Sequence, residues 1–290
     1  MGLRLKFNLV LLLVFAVGLG VTGYISRDLL HKNAREEVLR NAGVMMEAAL
    51  SMRSYTTKQL RPLIPYSDDI FHPQSVPAYS ATEIMTALRQ KYADYSYKEA
   101  ALNPTNPRNK AVEWETDIVN TFRNDTNRTE ISGIRDTPTG QSLYLARPFQ
   151  IKDKACLACH TTAAEAPPAM VKIYGPNNGF GWKHMEVIGA QVVSVPMSLP
   201  IQNANRAFYT FMISLSAVFL ALFVILNVMM SLLIVKPITR MSEAADKIST
   251  GDMNIAEFNE SGKDEVATLG KSFNRMRRSL AKAIDLINKG

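Results

Sequence analysis

The stretch FYTFMISLSAVFLALFVILNVMMSLLIV, residues 208–235, decides how the rest of the chain is read. It contains no charged side chain, whereas a helix of that length in a water-soluble core would keep a polar face. Such a run is a membrane span. Arg206 precedes it, and Lys236 and Arg240 follow. Toward the N-terminus lies a second uncharged run, FNLVLLLVFAVGLGVTGYI at 7–25. At the helical rise per residue it reaches roughly 28 Å, enough to cross the hydrocarbon. A cleaved signal sequence is the competing reading of this run. It is long for one, however, and no A-x-A site follows.

Arg4 and Lys6 before the first run, with Lys236 and Arg240 after the second, place both termini in the cytoplasm by the positive-inside rule. Arg27, Lys32 and Arg35 oppose this modestly at the outer end of the first span. The expected organisation is a two-pass protein of an inner or plasma membrane. Residues 1–6 form a short cytoplasmic start, 7–25 the first span, and 26–206 an extracytoplasmic domain, periplasmic or equivalent. Residues 208–235 form the second span and 236–290 a cytoplasmic module. The segment between the spans is long enough for one independent core.

The formal net charge is +7 over 290 residues. The basic residues are dispersed, apart from a small knot at Arg275, Arg277 and Arg278. This pattern suits charge beside anionic lipid rather than a nucleic-acid footprint, and no nucleic-acid partner is expected. A solvated helix face explains the knot equally well. Only two cysteines occur, Cys156 and Cys159, so a disulfide framework is excluded.

After the second span come Pro237 and then Ile238, Met241, Ala245 and Ile248 at 3-4-3 spacing, closed by Thr250-Gly251. A connector, DMNIAEFNESGK, leads to Asp264-Glu265, acids suited to a helix N-terminus. The helix they open carries Val266, Leu269, Phe273, Met276, Leu280, Ala283 and Ile287 as a heptad series. Two short heptad helices cannot bury their seams within one chain. Pairing two chains gives a parallel four-helix bundle, so a homodimer is expected. The proline after the span, the Gly-Asp after the first helix and the Asp-Glu opening the second resemble a HAMP domain. That resemblance implies passage of a conformational signal from membrane helix to cytoplasm, with a dimerising stalk as the plainer reading. The chain stops directly after this module. Output therefore passes to a separate cytoplasmic signalling protein or redox partner, or the chain is a receptor fragment.

Cys156-Leu157-Ala158-Cys159-His160 is the C-x-x-C-H pattern of covalent haem attachment. Two thiols add to the two vinyl groups of one macrocycle, and the adjacent imidazole is held beneath the iron. One covalent haem c is expected, bound through Cys156 and Cys159 with His160 as proximal ligand. Attachment of this kind is made outside the cytoplasm, in agreement with the charge-derived topology. A zinc site would need a fourth ligand. A thioredoxin-like pair would follow a hydrophobic strand, whereas Lys152-Asp153-Lys154-Ala155 precede this one. The sixth ligand is open among His184, Met52 and Met46, with Met45, His72, His31 and an unfilled position as further options. Arg147 and Arg53 are candidates to pair with haem propionates, and Tyr55, Tyr174, Phe180 and Trp182 to wall the ring. Ordinary solvated arginines and generic core aromatics are the competing readings.

Between the spans, helical spacing predicts a long helix from Asp28 to about Leu60, ended by Pro62 and Pro65 and continuing the first span. Helices are predicted over 82–93, with Ile84, Met85 and Leu88 inward, and over 109–122, with Trp114, Ile118 and Phe122 on one stripe. Residues 142–151 and 186–195 alternate as strands. Helices first and an antiparallel sheet later suggest an α+β domain.

The segments RSYTTKQLRPLI (53–64), VPAYSA (76–81), NPTNPRNKAVEWE (103–115), CLACH (156–160) and YGPNNGFGW (174–182) with VIGAQVVSVP (187–196) carry a further resemblance. Over roughly residues 35–200 the chain resembles a family of extracytoplasmic single-haem domains with a PAS-like fold, long catalogued as of unknown function and often preceding HAMP. The resemblance implies a small antiparallel sheet with flanking helices and a haem packed near the N-terminal helix. Some relatives ligate iron with a cysteine on that helix. This chain has none there, so the ligation does not carry over.

The leading expectation is a redox or diatomic-gas sensor. A membrane-tethered electron-transfer cytochrome is the alternative. A catalytic haem would need distal acid/base residues, and no such set stands out in the sequence, so a non-enzymatic role is expected.

Overall fold

The computed structural model describes residues 2–64, 69–252, 255–258 and 262–289, and the side chains up to residue 286. Pro65, part of the 252–263 connector and the Ile287 side chain therefore lie outside the described residues. The chain divides into two compact units: Arg27–Ala207, and Met1–Ser26 with Phe208–Gly290.

Helix α1 runs Leu3–Tyr55. Within the 27–207 unit its stripe of Ala34, Val38, Ala42, Met46 and Ala49 is buried, mostly small residues that let a helix approach a sheet closely. The regular helix stops earlier than the predicted Leu60. A π-helical turn, Thr56–Leu60, and a 3-10 turn, Arg61–Leu63, complete it. The hydroxyls of Thr56 and Thr57 donate back to the carbonyls of Met52 and Arg53, both at 2.9 Å, a pattern that loosens the α-helical ladder.

Next come α2 (Pro77–Arg89), β1 (Ser96–Ala101), α3 (Glu113–Asn124), β2 (Ile131–Thr137) and β3 (Gly140–Gln150). A one-turn α4 (Leu157–His160), α5 (Pro168–Tyr174) and β4 (Val187–Pro196) follow. Helix α2 begins earlier than the predicted Thr82 because Pro77 suits a first helical turn. Ile84, expected inward, is exposed, while Ala81, Thr82 and Met85 are buried. The four strands form one antiparallel sheet in the order β1-β4-β3-β2.

The expected sequence of helices first and sheet later is corrected here. Strand β1 lies between α2 and α3, and β2 directly after α3. Both are edge strands. Lys98 and Glu99 within SYKEAA, and Gly133 within ISGIRDT, hid their strand character. Strand β4 is central and buried on both faces, so most of its VIGAQVVSVP run is inaccessible.

The alternation of side chains gives the sheet two cores. On one face Val38, Ala42, Met46 and Ala49 of α1 and Met85 of α2 pack on Tyr97, Leu143, Leu145, Val193 and Val195. On the other, Ile118, Val119 and Phe122 of α3 pack on Ala100, Ala146, Ala190 and Val192.

In the second unit, helix α6 (Ser198–Met230) passes through a π-turn at Ser231–Val235 into α7 (Lys236–Ser249), and α8 spans Glu265–Lys289. Two candidate membrane helices thus flank the 27–207 unit in sequence, and their apolar windows are almost wholly unburied. Phe15 stacks on Phe219 at 4.7 Å between ring centroids. In α7 Met241, Ala244 and Ile248 are buried. The expected Ala245 is exposed, and so is Ile238. Along α8 the seam residues Leu269, Met276 and Leu280 stand exposed in the single chain. Asn274 is fully buried and takes both the N–H and the carbonyl of Phe258 on its amide, at 3.1 and 2.9 Å, tying the connector to the helix.

Candidate cofactor site

Strand β3 delivers the chain to Ile151, which is buried and exchanges backbone bonds of 2.9 Å with Glu186 and Met185. The Asp153 carboxylate then accepts from the N–H of Ala155 at 2.8 Å and opens the turn Lys154–Cys156. That turn runs into α4. The short helical path places Cys156, Cys159 and His160 together on one wall of a cavity of about 790 Å³. Its other walls include Arg53 from the end of α1 and Lys58 and Arg61 from the two turns that follow it. Tyr79 at the start of α2, Phe149, Met170, Tyr174 and Trp182 complete an aromatic and apolar lining. The volume falls in the range of pockets that enclose large organic ligands.

His160 is held from two sides. Its Nδ1 lies 2.8 Å from the carbonyl oxygen of Gly179 and can only donate there. That assigns the proton to Nδ1 and leaves the Nε2 lone pair available as a metal ligand. Its ring stacks on Trp182, centroids 3.9 Å apart and planes inclined by 19°. Burial holds its pKa below the ordinary value, opposed by the bond to Gly179, so the neutral ligating form is favoured.

The loop that supplies Gly179 is stitched to the motif. Gly181 and Trp182 donate their N–H groups to the carbonyls of Thr161 and His160 at 2.9 and 3.2 Å. Asn103 accepts from the N–H of Gly179 and donates to the carbonyl of Phe180, both at 3.1 Å. Gly179 has φ +81°, and a Cβ there would lie 2.0 Å from Thr105 Oγ1. Glycine is required on both counts.

Cys156 and Cys159 are half-buried and not joined in a disulfide. Burial, reinforced by Asp153, raises the Cys156 thiol above its usual pKa, against the pull of Arg53 and Arg61. A nucleophilic redox cysteine needs the opposite shift, so the local electrostatics disfavour a thioredoxin-like reading. Arg53 forms a 2.5 Å ion pair with the buried Glu99 and lies 4.6 Å over the Phe149 ring. Tyr97 donates to the second Glu99 oxygen at 2.7 Å. The fold therefore places a fixed cation on the cavity wall beside the motif.

Of the residues singled out in the sequence, Cys156, Cys159, His160, Arg53, Tyr174 and Trp182 meet at this cavity. Others do not. Arg147 is held by Glu47 and Glu130 at 2.6 and 2.9 Å, away from the lining. Tyr55 is half-exposed and off the cavity. His184 is exposed, its Nε2 3.2 Å from the carbonyl of Lys152. Met46 is fully buried in the sheet core, and Met52 packs against that core. Met170, buried at the start of α5, does line the cavity. Its sequence signal was modest: a methionine in the helix opened by Pro167-Pro168, directly after the motif. Asn103, Thr105 and Gly179 were also missed as supports of the site. By itself the N-P-T-N-P cluster at 103–107 reads only as a rigid turn.

No curated protein matches the chain. A solved structure described as the cyanobacterial heme-protein Tll0287 matches at 15% identity, covering 55% of this chain and 95% of its own, with a TM-score of 0.44. A HAMP domain matches residues 229–282. The Tll0287-like family matches residues 31–196, more than half of the chain, so the protein belongs to the Tll0287-like family and carries a HAMP domain behind that region.

Proposed function

We propose that this chain is a membrane-anchored, haem-containing signal-transduction protein. In this reading one haem c is attached through Cys156 and Cys159 and ligated by His160. The observation that carries it is the convergence of both thiols and an Nδ1-anchored imidazole on one wall of an aromatic-lined cavity. That donor set fits the group. Two thiols at the attachment spacing and an imidazole with its Nε2 lone pair available are what covalent haem requires. Arg53, Lys58 and Arg61 supply positive charge for the propionates.

When bound, the haem supplies one-electron redox chemistry and a coordination position for a diatomic ligand. The chain's own residues do the rest. The Gly179 carbonyl and Trp182 fix the imidazole plane, and Phe149, Tyr174 and Met170 exclude water. Arg53, at the end of α1, joins the cavity wall to the helix that begins in the first apolar run. Arg53, Lys58 and Arg61 would face a different charge if a bound haem were oxidised or reduced, and that difference would act on the end of α1. HAMP then converts the resulting helix shift into a rearrangement between two chains. The exposed seam of Leu269, Met276 and Leu280 supports the homodimer, since a second copy would cover it in a four-helix bundle. The antiparallel sheet flanked by helices is compatible with a PAS-like domain. We place this domain outside the cytoplasm, with both termini inside and a separate cytoplasmic protein receiving the output.

Two measurements test the reading. Optical spectra and intact mass of the purified chain should show a covalently bound haem. Disulfide crosslinking of cysteine variants along α7 and α8 should differ between oxidised, reduced and NO- or CO-treated protein. A bound haem with identical crosslinking in every state would favour the tethered electron-transfer cytochrome instead. Absence of haem would remove both readings.

A further inference from the structure

A second cavity, of about 460 Å³, lies along the edge strand β1. Four cationic side chains line it, Arg89, Lys98, Arg108 and Arg135, against one carboxylate, Glu115. Two of the cations are matched: Lys98 pairs with Glu115 at 2.6 Å and Arg108 with Glu83 at 2.6 Å. The other two are not. Among the described residues no carboxylate pairs with Arg89 at the end of α2 or with Arg135 on β2. Arg135 is half-buried and lies 4.1 Å over the Trp114 ring, which fixes its guanidinium plane. Val112, Val192 and Trp114 give the floor an apolar character.

We infer that this cleft is a binding site for a small organic dicarboxylate, its two carboxylates taken by Arg89 and Arg135. The chemistry of the lining selects that class. A planar, immobilised guanidinium presents paired donors that match a carboxylate. Two unpaired guanidinium groups, carried by different elements, call for two anionic groups on one ligand. The cavity would hold on the order of fifteen waters, far more than one inorganic anion displaces, and its apolar floor suits a short carbon chain. Arg108 and Asn109 also line the cavity that contains Cys156, Cys159 and His160. A ligand here thus shares a wall with the proposed cofactor, although binding itself does not depend on haem.

The test is isothermal titration of the full-length chain in detergent with succinate, with citrate, and with inorganic phosphate at matched ionic strength. Saturable one-to-one binding of succinate or citrate is expected. Arg135→Gln should weaken it by roughly tenfold or more. Arg135→Lys, which keeps the charge and loses the planar fork, should fall between, and it carries the test if Arg135→Gln fails to fold. Arg128→Gln, at an arginine paired with Asp125 outside the cleft, should bind as the parent does. The proposal is overturned by the absence of saturable heat with both succinate and citrate. Phosphate binding equal to succinate, or unaltered binding in the Arg135 variants, would overturn it as well.

Discussion

Helix α1 meets its surroundings in two different ways. Along 38–49 its inner stripe is Val38, Ala42, Met46 and Ala49, all inaccessible to solvent and seated on the sheet. The same stripe continues through Arg53 and Thr57, but there it lines a cavity. The helical period is kept while the chemistry changes. Small apolar side chains close the gap between helix and sheet. Long polar ones hold it open and need partners, which Glu99 supplies for Arg53. The difference separates residues that keep the fold from residues that shape the site.

That separation can be tested most strongly at the motif. Replacing Cys156 and Cys159 together by alanine should abolish covalent haem completely while circular dichroism of the sheet stays unchanged. Haem surviving a denaturing gel would contradict the assignment. Arg53→Met leaves the Glu99 carboxylate buried without its cation, a loss expected to cost about 3–5 kcal/mol. Denaturant titration reads it, and adding Glu99→Gln should recover part of the loss. Met46→Ala, on the packed side of the same helix, should cost about 2–5 kcal/mol. The haem spectrum should not move, and a spectral shift there would blur the division.

Tyr97 gives a pH-dependent version of the same contrast. Burial, then Glu99, pushes its phenol well above the usual 10, while Arg53 pulls the other way. In the unfolded chain the phenol ionises near 10, and in the fold it stays protonated. The stability it contributes is therefore present below pH 10 and lost as pH climbs beyond. Tyr97→Phe should flatten that alkaline decline, at about 1–3 kcal/mol of stability at neutral pH for the donor lost to Glu99. His184→Ala is the smallest case. An exposed ring away from the cavity should leave spectrum and stability unchanged, and a changed low-spin signature would return it to the ligand set.

Much of the fold was legible. The β3 and β4 segments alternate or run apolar because their neighbours on both sides are fixed by the sheet. The α3 stripe of Ile118 and Phe122 follows helical period. Strand β1 was hidden because its charges, Lys98 and Glu99, fit a strand only through the tertiary partners Glu115 and Arg53, and β2 because Gly133 breaks its pattern. The methionines of α1 fitted either core or ligand by composition, and packing against Leu143 and Leu145 put Met46 in the core. Arg147 looked equivalent to Arg53. Only the fold gave one of them two surface carboxylates and the other a place in the cavity wall.

Local covalent pattern carried the two apolar runs, the attachment motif and the heptad series. Each depends on spacing within one short segment, and the physics of that spacing needs nothing else from the chain. The cavity joins the end of α1, the start of α2, the loop at 103–109 and the turn before β4. Those segments lie far apart in the chain, and only their packing on a common sheet brings them together. Which imidazole nitrogen is freed, which arginine is recruited and which methionine borders the site are consequences of that packing, because hydrogen bonds and burial act through space, across segments that no local pattern relates.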